Sequence, residues 1–345
     1  MDYDPPSGMM KCQNCGTTQP VPENPSQVTA HSLSDALQHM TPLSAEALEV
    51  TCEGCGSVVV FEPPEVAGAC SFCGAMIVAQ AKAADPMIAP DAVLPVKIPK
   101  DAARKEVRDW IATRWFAPNA LQKMAQQEGI AGVYLPFWSY DADTVSDYVG
   151  ARGVHYFETE YFTETDQNGN QVQRSQQVMR TAWSGASGRV SRRFEDLLVP
   201  ATKAVNPQRL NSLEPWDLPQ LRAYEPAFLA GFKAQRYQVD LPAGFEKAKQ
   251  LMESAITQDV RRDIGGDEQR IDHVDTQSSH EMFRHLLLPV WIGAYRFQGR
   301  VFQVMVNART GEVQGERPYS AAKITLLVFG IIIALMILWV IGQSR

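Results

Sequence analysis

The segment "VYLPFWSYDADTVSDYVGARG", Val133–Gly153, opens with a Leu-Pro-aromatic-Trp run, passes through a Tyr and continues as alternating apolar and polar residues. Alternation with period two marks a strand with one face on a core, because successive side chains point to opposite sides. A second segment, "LLLPVWIGAYRFQGRVFQVMV" (Leu286–Val306), has the same order: Leu-Pro-Val-Trp, a Tyr, then an alternating run. The echo predicts two related half-units, each opening with L-P-x-W; chance resemblance over so short a stretch is the alternative.

Working outward, Val154–Thr163 and Val172–Thr181 read as strands joined across the turn sequence "DQNGN". "RVFQVMVNA" leads through "RTGEVQGERP" into another such pair. "DAARKEVRDWIATRWF" (Asp101–Phe116) reads as a helix capped by Asp101, with Val107, Trp110, Ile111 and Trp115 on one face. "FEKAKQLMESAITQDV" (Phe245–Val260) places Phe245, Ala248, Met252, Ala255 and Ile256 on one stripe, ended by Gly265-Gly266. These elements predict a mixed α/β central domain with antiparallel strands over 93–318, in an α+β chain. Residues 81–92, "AKAADPMIAPDA", read as a linker between that domain and residues 1–80.

All six cysteines lie in the first 73 residues, as three C-x-x-C pairs. Cys52, Cys55, Cys70 and Cys73, in "CEGCGSVVVFEPPEVAGACSFCG", have the spacing of two zinc knuckles within a ribbon over 50–80. Four thiolates suit a tetrahedral Zn2+ and leave no position open for water, so the ion is expected to be structural. Gly56 and Gly74 follow the second cysteine of each knuckle, where a tight turn aims backbone N–H groups at sulfur. A redox dithiol, an iron–sulfur cluster and disulfides are the alternatives. Cys12 and Cys15, in "KCQNCGTT" (half knuckle 11–17), make half of a second site. His31 and His39 could complete it, although their spacing matches no common ligand pattern; a partner subunit's ligands or a degenerate ribbon are the other readings.

Charge argues against nucleic acid as a partner. Residues 1–90 hold ten acidic and two basic residues (Lys11, Lys82), a net −8, while the whole chain is −7. Phosphate binding relies on clustered Lys and Arg, which this ribbon lacks. "RVSRRF" (Arg189–Phe194) is a small basic cluster, more in keeping with a solvated face.

No catalytic set emerges, and the chain is not expected to be an enzyme. "SSHEMFRH" places His280 and His285 five apart, whereas H-E-x-x-H needs them at i and i+4 of a helix. "WSGASGRV" is not G-x-S-x-G, and no phosphate-binding glycine loop occurs. Asp141, Asp143 and Asp147 read as solvated carboxylates. Residues 324–342, "ITLLVFGIIIALMILWVIG", are uncharged, with Trp339 near one end. They predict a single C-terminal transmembrane helix acting as a tail anchor. The opening "MDYDPPSGMMKC" lacks an apolar signal core, so the bulk of the chain is expected to be cytoplasmic.

The blocks "KCQNCG", "CEGCG…CSFCG", "GVYLPFWSYDA", "SDYVGARG" and "HLLLPVWIGAYRFQGRVFQVMVNARTGEVQGERPYS", with the terminal apolar segment, resemble a bacterial family of membrane-anchored zinc-ribbon proteins. Its members are often described as primosomal-protein-N′-like or superfamily II helicase-like. Members typically carry two complete ribbons, whereas this chain keeps one knuckle of the first. The resemblance implies an adaptor at the bacterial inner membrane, single-pass. It would recruit protein partners such as band-7 (SPFH) or phage-shock-protein-A-like scaffolds, in membrane stress. A replication- or helicase-associated, nucleic-acid-binding ribbon is the alternative, and the absent phosphate-binding loop gives it no support.

Overall fold

A computed structural model of the chain describes residues 1–22, 28–38, 48–52, 58–61, 67–70, 72, 76–78, 82–83, 88–114, 129–165, 171–297, 300–316 and 320–343. The elements that build the central region are β1 (Ala92–Val93), α1 (Lys100–Ala112), β2 (Ile130–Thr165), β3 (Gln171–Pro200), β4 (Lys233–Ala234), α2 (Leu241–Ile264), β5 (Glu268–Phe297) and β6 (Arg300–Asn307); α3 (Ala321–Gln343) follows. Among the described residues one nine-stranded sheet organises them, with β3, β2, β5 and β1 as successive neighbours. The β3–β2, β2–β5 and β5–β6 ladders are antiparallel, whereas β1 runs parallel to β5 and β4 parallel to β2.

This corrects the expected fold class. The chain is not an even α/β mixture but mostly a large antiparallel sheet, whose main strands run 36, 30 and 30 residues. Strands in globular proteins usually run about five or six residues. The segments read separately as Val133–Gly153 and Val154–Thr163 are one continuous strand. A Cβ at Gly150 would lie 2.2 Å from the Arg270 carbonyl oxygen, at a register shift between β2 and β5. The glycine therefore admits a bulge within one continuous strand.

The C-terminal expectation is also corrected. The chain is helical over Ala321–Gln343, but among the described residues no helix is long and apolar enough to cross a membrane.

The two L-P-x-W segments meet at the centre of the β2–β5 ladder. Leu135 pairs with Leu288, Pro136 with Leu287 and Tyr134 with Pro289. The surrounding hydrogen bonds repeat about this point. Ala201 N–H donates to Pro136 O at 3.0 Å, and Ala308 N–H to Pro289 O at 3.1 Å. Lys97 and Ile98 N–H donate to Ala308 O, as Gln238 and Val239 N–H donate to Ala201 O. Trp138 Nε1 donates to Val239 O at 2.9 Å, and Trp291 Nε1 to Ile98 O at 2.8 Å. Each half thus runs short strand, helix, long strand and return strand, and each half's lead into its helix is held by the end of the other half's hairpin.

The helices follow their apolar stripes. In α1, Ala103, Val107 and Ile111 are buried. Pro99 stands at its N-cap, and Asp101, read above as the cap, instead pairs with Arg104 on the surface. In α2, Phe245, Ala248, Met252 and Ile256 are buried, together with Val260 and Ile264. Asp240 caps it by accepting from Ala243 N–H at 2.9 Å, and Gly265, at φ +64°, ends it.

Candidate functional site

The first cysteine of each pair shares one structural setting, directly after a strand of a short antiparallel hairpin. Cys12 follows Met9–Lys11, which pairs with Thr18–Gln19. Cys52 follows Leu48–Thr51, which pairs with Val58–Phe61. Cys70 follows Ala67–Ala69, which pairs with Met76–Val78. Cys52 and Cys70 are both buried and belong to one core cluster with Phe72. Phe72 N–H donates to Cys70 Sγ at 3.4 Å, the contact a knuckle makes to polarise its sulfur. None of Cys12, Cys15, Cys52 and Cys70 is in a disulfide. Cys55 and Cys73 lie outside the described residues. Among the described residues no group of three or more His, Cys, Asp or Glu could hold a metal. The expected four-thiolate site is therefore not displayed among the described residues, of which Cys52 and Cys70 are members.

The ribbon is not a free appendage. Its cluster includes Leu135, Leu288 and Met305 of the central sheet, and Gln303 Nε2 donates to Phe72 O at 3.0 Å from β6.

At the first knuckle, Gly16 takes φ +73°, and its N–H closes the turn onto Cys12 O at 2.9 Å. The exposed Cys15 thiol donates to Thr17 Oγ1 at 3.2 Å. Hydrogen bonds from Thr17 and then Cys12 pull the Cys15 thiol down to about 7. His31 does not join this pair. Its Nε2 lies 2.6 Å from Asp91 Oδ1, with its ring against Phe283. His39 lies outside the described residues.

Asp91 also accepts from His285 N–H at 2.7 Å through its other oxygen. His285 lies on strand β5, not on a helix, with its ring between Trp138 and Tyr237 at 4.9 and 5.4 Å. Burial pushes its imidazole down to about 4, and its Nδ1 faces Ile88 O at 3.0 Å. This is a neutral core histidine. His280, at φ +53°, sits in the open beside Asp143 at 3.2 Å.

The carboxylates of "DADTVSD" and the arginines of "RVSRRF" are largely committed to ion pairs. Arg284 bridges Asp141 and Asp196 at 2.9 and 2.6 Å. Arg189 holds Asp147 through two contacts of 2.7 and 2.8 Å, and this keeps the Asp147 carboxyl below its usual range. Arg192 pairs with Asp259 at 2.8 Å and Arg193 with Glu195 at 2.9 Å. Trp138 and Trp291 are core residues.

The feature that sequence reasoning passed over is the length of the β2/β3 hairpin. β5 ends its pairing with β2 at Gly153↔Glu268, whereas β2 and β3 continue together from Val154↔Ala182 to Thr165↔Gln171. Beyond Gly153, then, the described hairpin is a two-stranded arm. It exposes Phe157 (67%), Tyr161 (70%) and Met179 (56%). The signal was present in the alternation of Glu158, Glu160 and Glu164 with Thr159, Tyr161 and Thr163.

The described residues thus combine the buried Cys52 and Cys70, a large antiparallel sheet and an arm with exposed aromatic side chains. No family model matches the chain and no solved structure matches it. It is similar to the uncharacterized protein YdjG of Bacillus subtilis (strain 168), at 25% identity over 248 residues, which cover 71% of this chain and 68% of that protein.

Proposed function

We propose that the protein is a non-catalytic docking scaffold that recruits protein partners, with a structural zinc ion in its ribbon. The observation that carries this reading is the arm beyond Gly153, which holds Phe157 and Tyr161 in solvent at 67% and 70% exposure. Exposed aromatic side chains are typical anchors for a partner, since they bring much apolar area at little entropy cost. The ion pairs along the sheet support the same reading, because those charges are already neutralised. Cys52, Cys55, Cys70 and Cys73 would hold zinc as thiolates. The ion would supply the cross-link that so small a ribbon needs, leaving the knuckle at Phe72 fixed against β6. Band-7 and phage-shock-protein-A-like scaffolds are the partner class that the sequence resemblance implies.

The test is photo-crosslinking in cells, with a photoreactive amino acid in place of Tyr161 and, as a control, in place of Glu253 on α2. Discrete protein adducts at Tyr161 that are missing at Glu253 are expected. Equal, diffuse labelling at both positions would overturn the docking reading.

A further inference from the structure

We propose that one face of the β2/β3 arm is a self-association surface that takes a second copy of this chain, face to face. This rests on the docking reading and names its partner. The pairing register sorts the arm's side chains onto two faces of opposite character. One face carries Glu158, Glu160 and Glu164 on β2 opposite Val178, Gln176 and Val172 on β3. Arg174 and Arg180 on that face bridge to Glu164 and Glu158, and Arg180 also reaches Glu160. Its charges are satisfied within the arm.

The other face has no charge between Phe157 and Thr165 or between Gln171 and Thr181. Phe157 stands opposite Met179 and Tyr161 opposite Ser175, among Thr and Gln. Its rings are the more exposed, with Phe157 and Tyr161 at 67% and 70% against Tyr156 and Phe162 at 46% and 41% on the charged face.

Charge decides the occupant. A partner recognised through ion pairs would find none to make here, whereas a second copy meets no like charge, as an isologous contact requires. Pairing through the open edge of β2 is disfavoured. It would bring Glu158, Glu160 and Glu164 of one copy onto the same face as those of the other, and like charges across strands destabilise. Two neutral faces stacked about 10 Å apart avoid this.

Size sets the strength. The arm's 12 residues per strand, at about 3.4 Å each, make it about 40 Å long, and two strands make each face roughly 10 Å wide. Two such faces bury on the order of 800 Å2 in total, which suits a weak, concentration-dependent contact. An isolated two-stranded ribbon is marginal in water, so cover on one face also stabilises the arm.

Sedimentation velocity of the purified full chain over a wide concentration range tests this, in a non-ionic detergent that covers the exposed apolar side chains of α3. The variant Phe157→Gln/Tyr161→Gln should raise the dimer dissociation constant about tenfold or more, while Tyr156→Gln/Phe162→Gln on the charged face should leave it unchanged. Equal thermal midpoints of the two variants would show that folding is intact. A chain that is monomeric throughout, or a dimer that the two variants weaken equally or not at all, would overturn the proposal. In-cell adducts from Tyr161 to other proteins would then still stand for the docking reading, and loss of both results would remove both.

Discussion

Leu135 lies directly opposite Leu288 in the central ladder, and both are fully buried. The pair marks the point about which the sheet repeats itself. On either side of it the same proline, the same tryptophan and the same helix lead-in recur in reversed direction. Because each lead-in bonds to the other half's return strand, neither half closes its own backbone hydrogen bonds. The two halves are therefore expected to unfold together, with the tryptophans as the fasteners.

Trp138→Phe removes the donor to Val239 O, and Trp291→Phe the donor to Ile98 O. Each leaves a carbonyl at a helix lead-in without this bond, which costs about 1–3 kcal/mol. Urea denaturation should show lower midpoints for both variants and a single transition. Separate transitions for the two halves would contradict the interlock.

Gly244 occupies the first turn of α2 because nothing larger fits. A Cβ there would lie 2.5 Å from Tyr140 Oη and 2.6 Å from Trp138 Cδ1, beside the Tyr140 hydroxyl that donates to Leu241 O. Gly244→Ala should destabilise by about 1–3 kcal/mol through overpacking, against the usual helix preference for Ala. Gly185→Ala, with nothing within 4 Å, should be neutral or slightly stabilising. Thermal melts of the two variants compare the sites directly.

His285 makes stability fall in acid. Its folded imidazole titrates at about 4, below the unfolded value of about 6.5, so the unfolded chain takes up the proton first. The stability it protects is complete above about pH 6.5 and is lost as pH falls toward 4, by an amount on the order of 3 kcal/mol. Guanidinium unfolding at several pH values should show this slope. His285→Gln should flatten it in that window, whatever its effect at neutral pH.

Zinc analysis tests the ribbon. The purified chain should carry one tightly held zinc, lost in Cys52→Ser or Cys70→Ser and retained in Cys12→Ser. Loss should also raise hydrogen exchange at 303–306, where Gln303 ties β6 to Phe72, and leave the arm at 157–165 unaffected. A chain purified without zinc, with Cys52→Ser as stable as the parent, would exclude the four-thiolate site.

Local pattern was enough for much of this. The α2 stripe, its glycine stop and the turn at Cys12 and Cys15 depend on residues a few positions apart, where helix periodicity and left-handed backbone decide. The echo of L-P-x-W was visible for the same reason. The full length of β2 was not, because Val133–Gly153 and Val154–Thr163 read as separate segments. They join here because β5 runs alongside and a bulge absorbs the misfit at Gly150.

By itself the sequence determined which residues alternate and which stripe is apolar, since these follow from spacing along the chain. Only the tertiary structure decided which partners they meet. His31 finds Asp91 sixty positions away, and Arg284 finds Asp141 and Asp196. The neutral face of the arm exists only once Phe157 is set against Met179. Register between distant strands is a property of the packed sheet, chosen by which faces can be buried together, and no local periodicity encodes it.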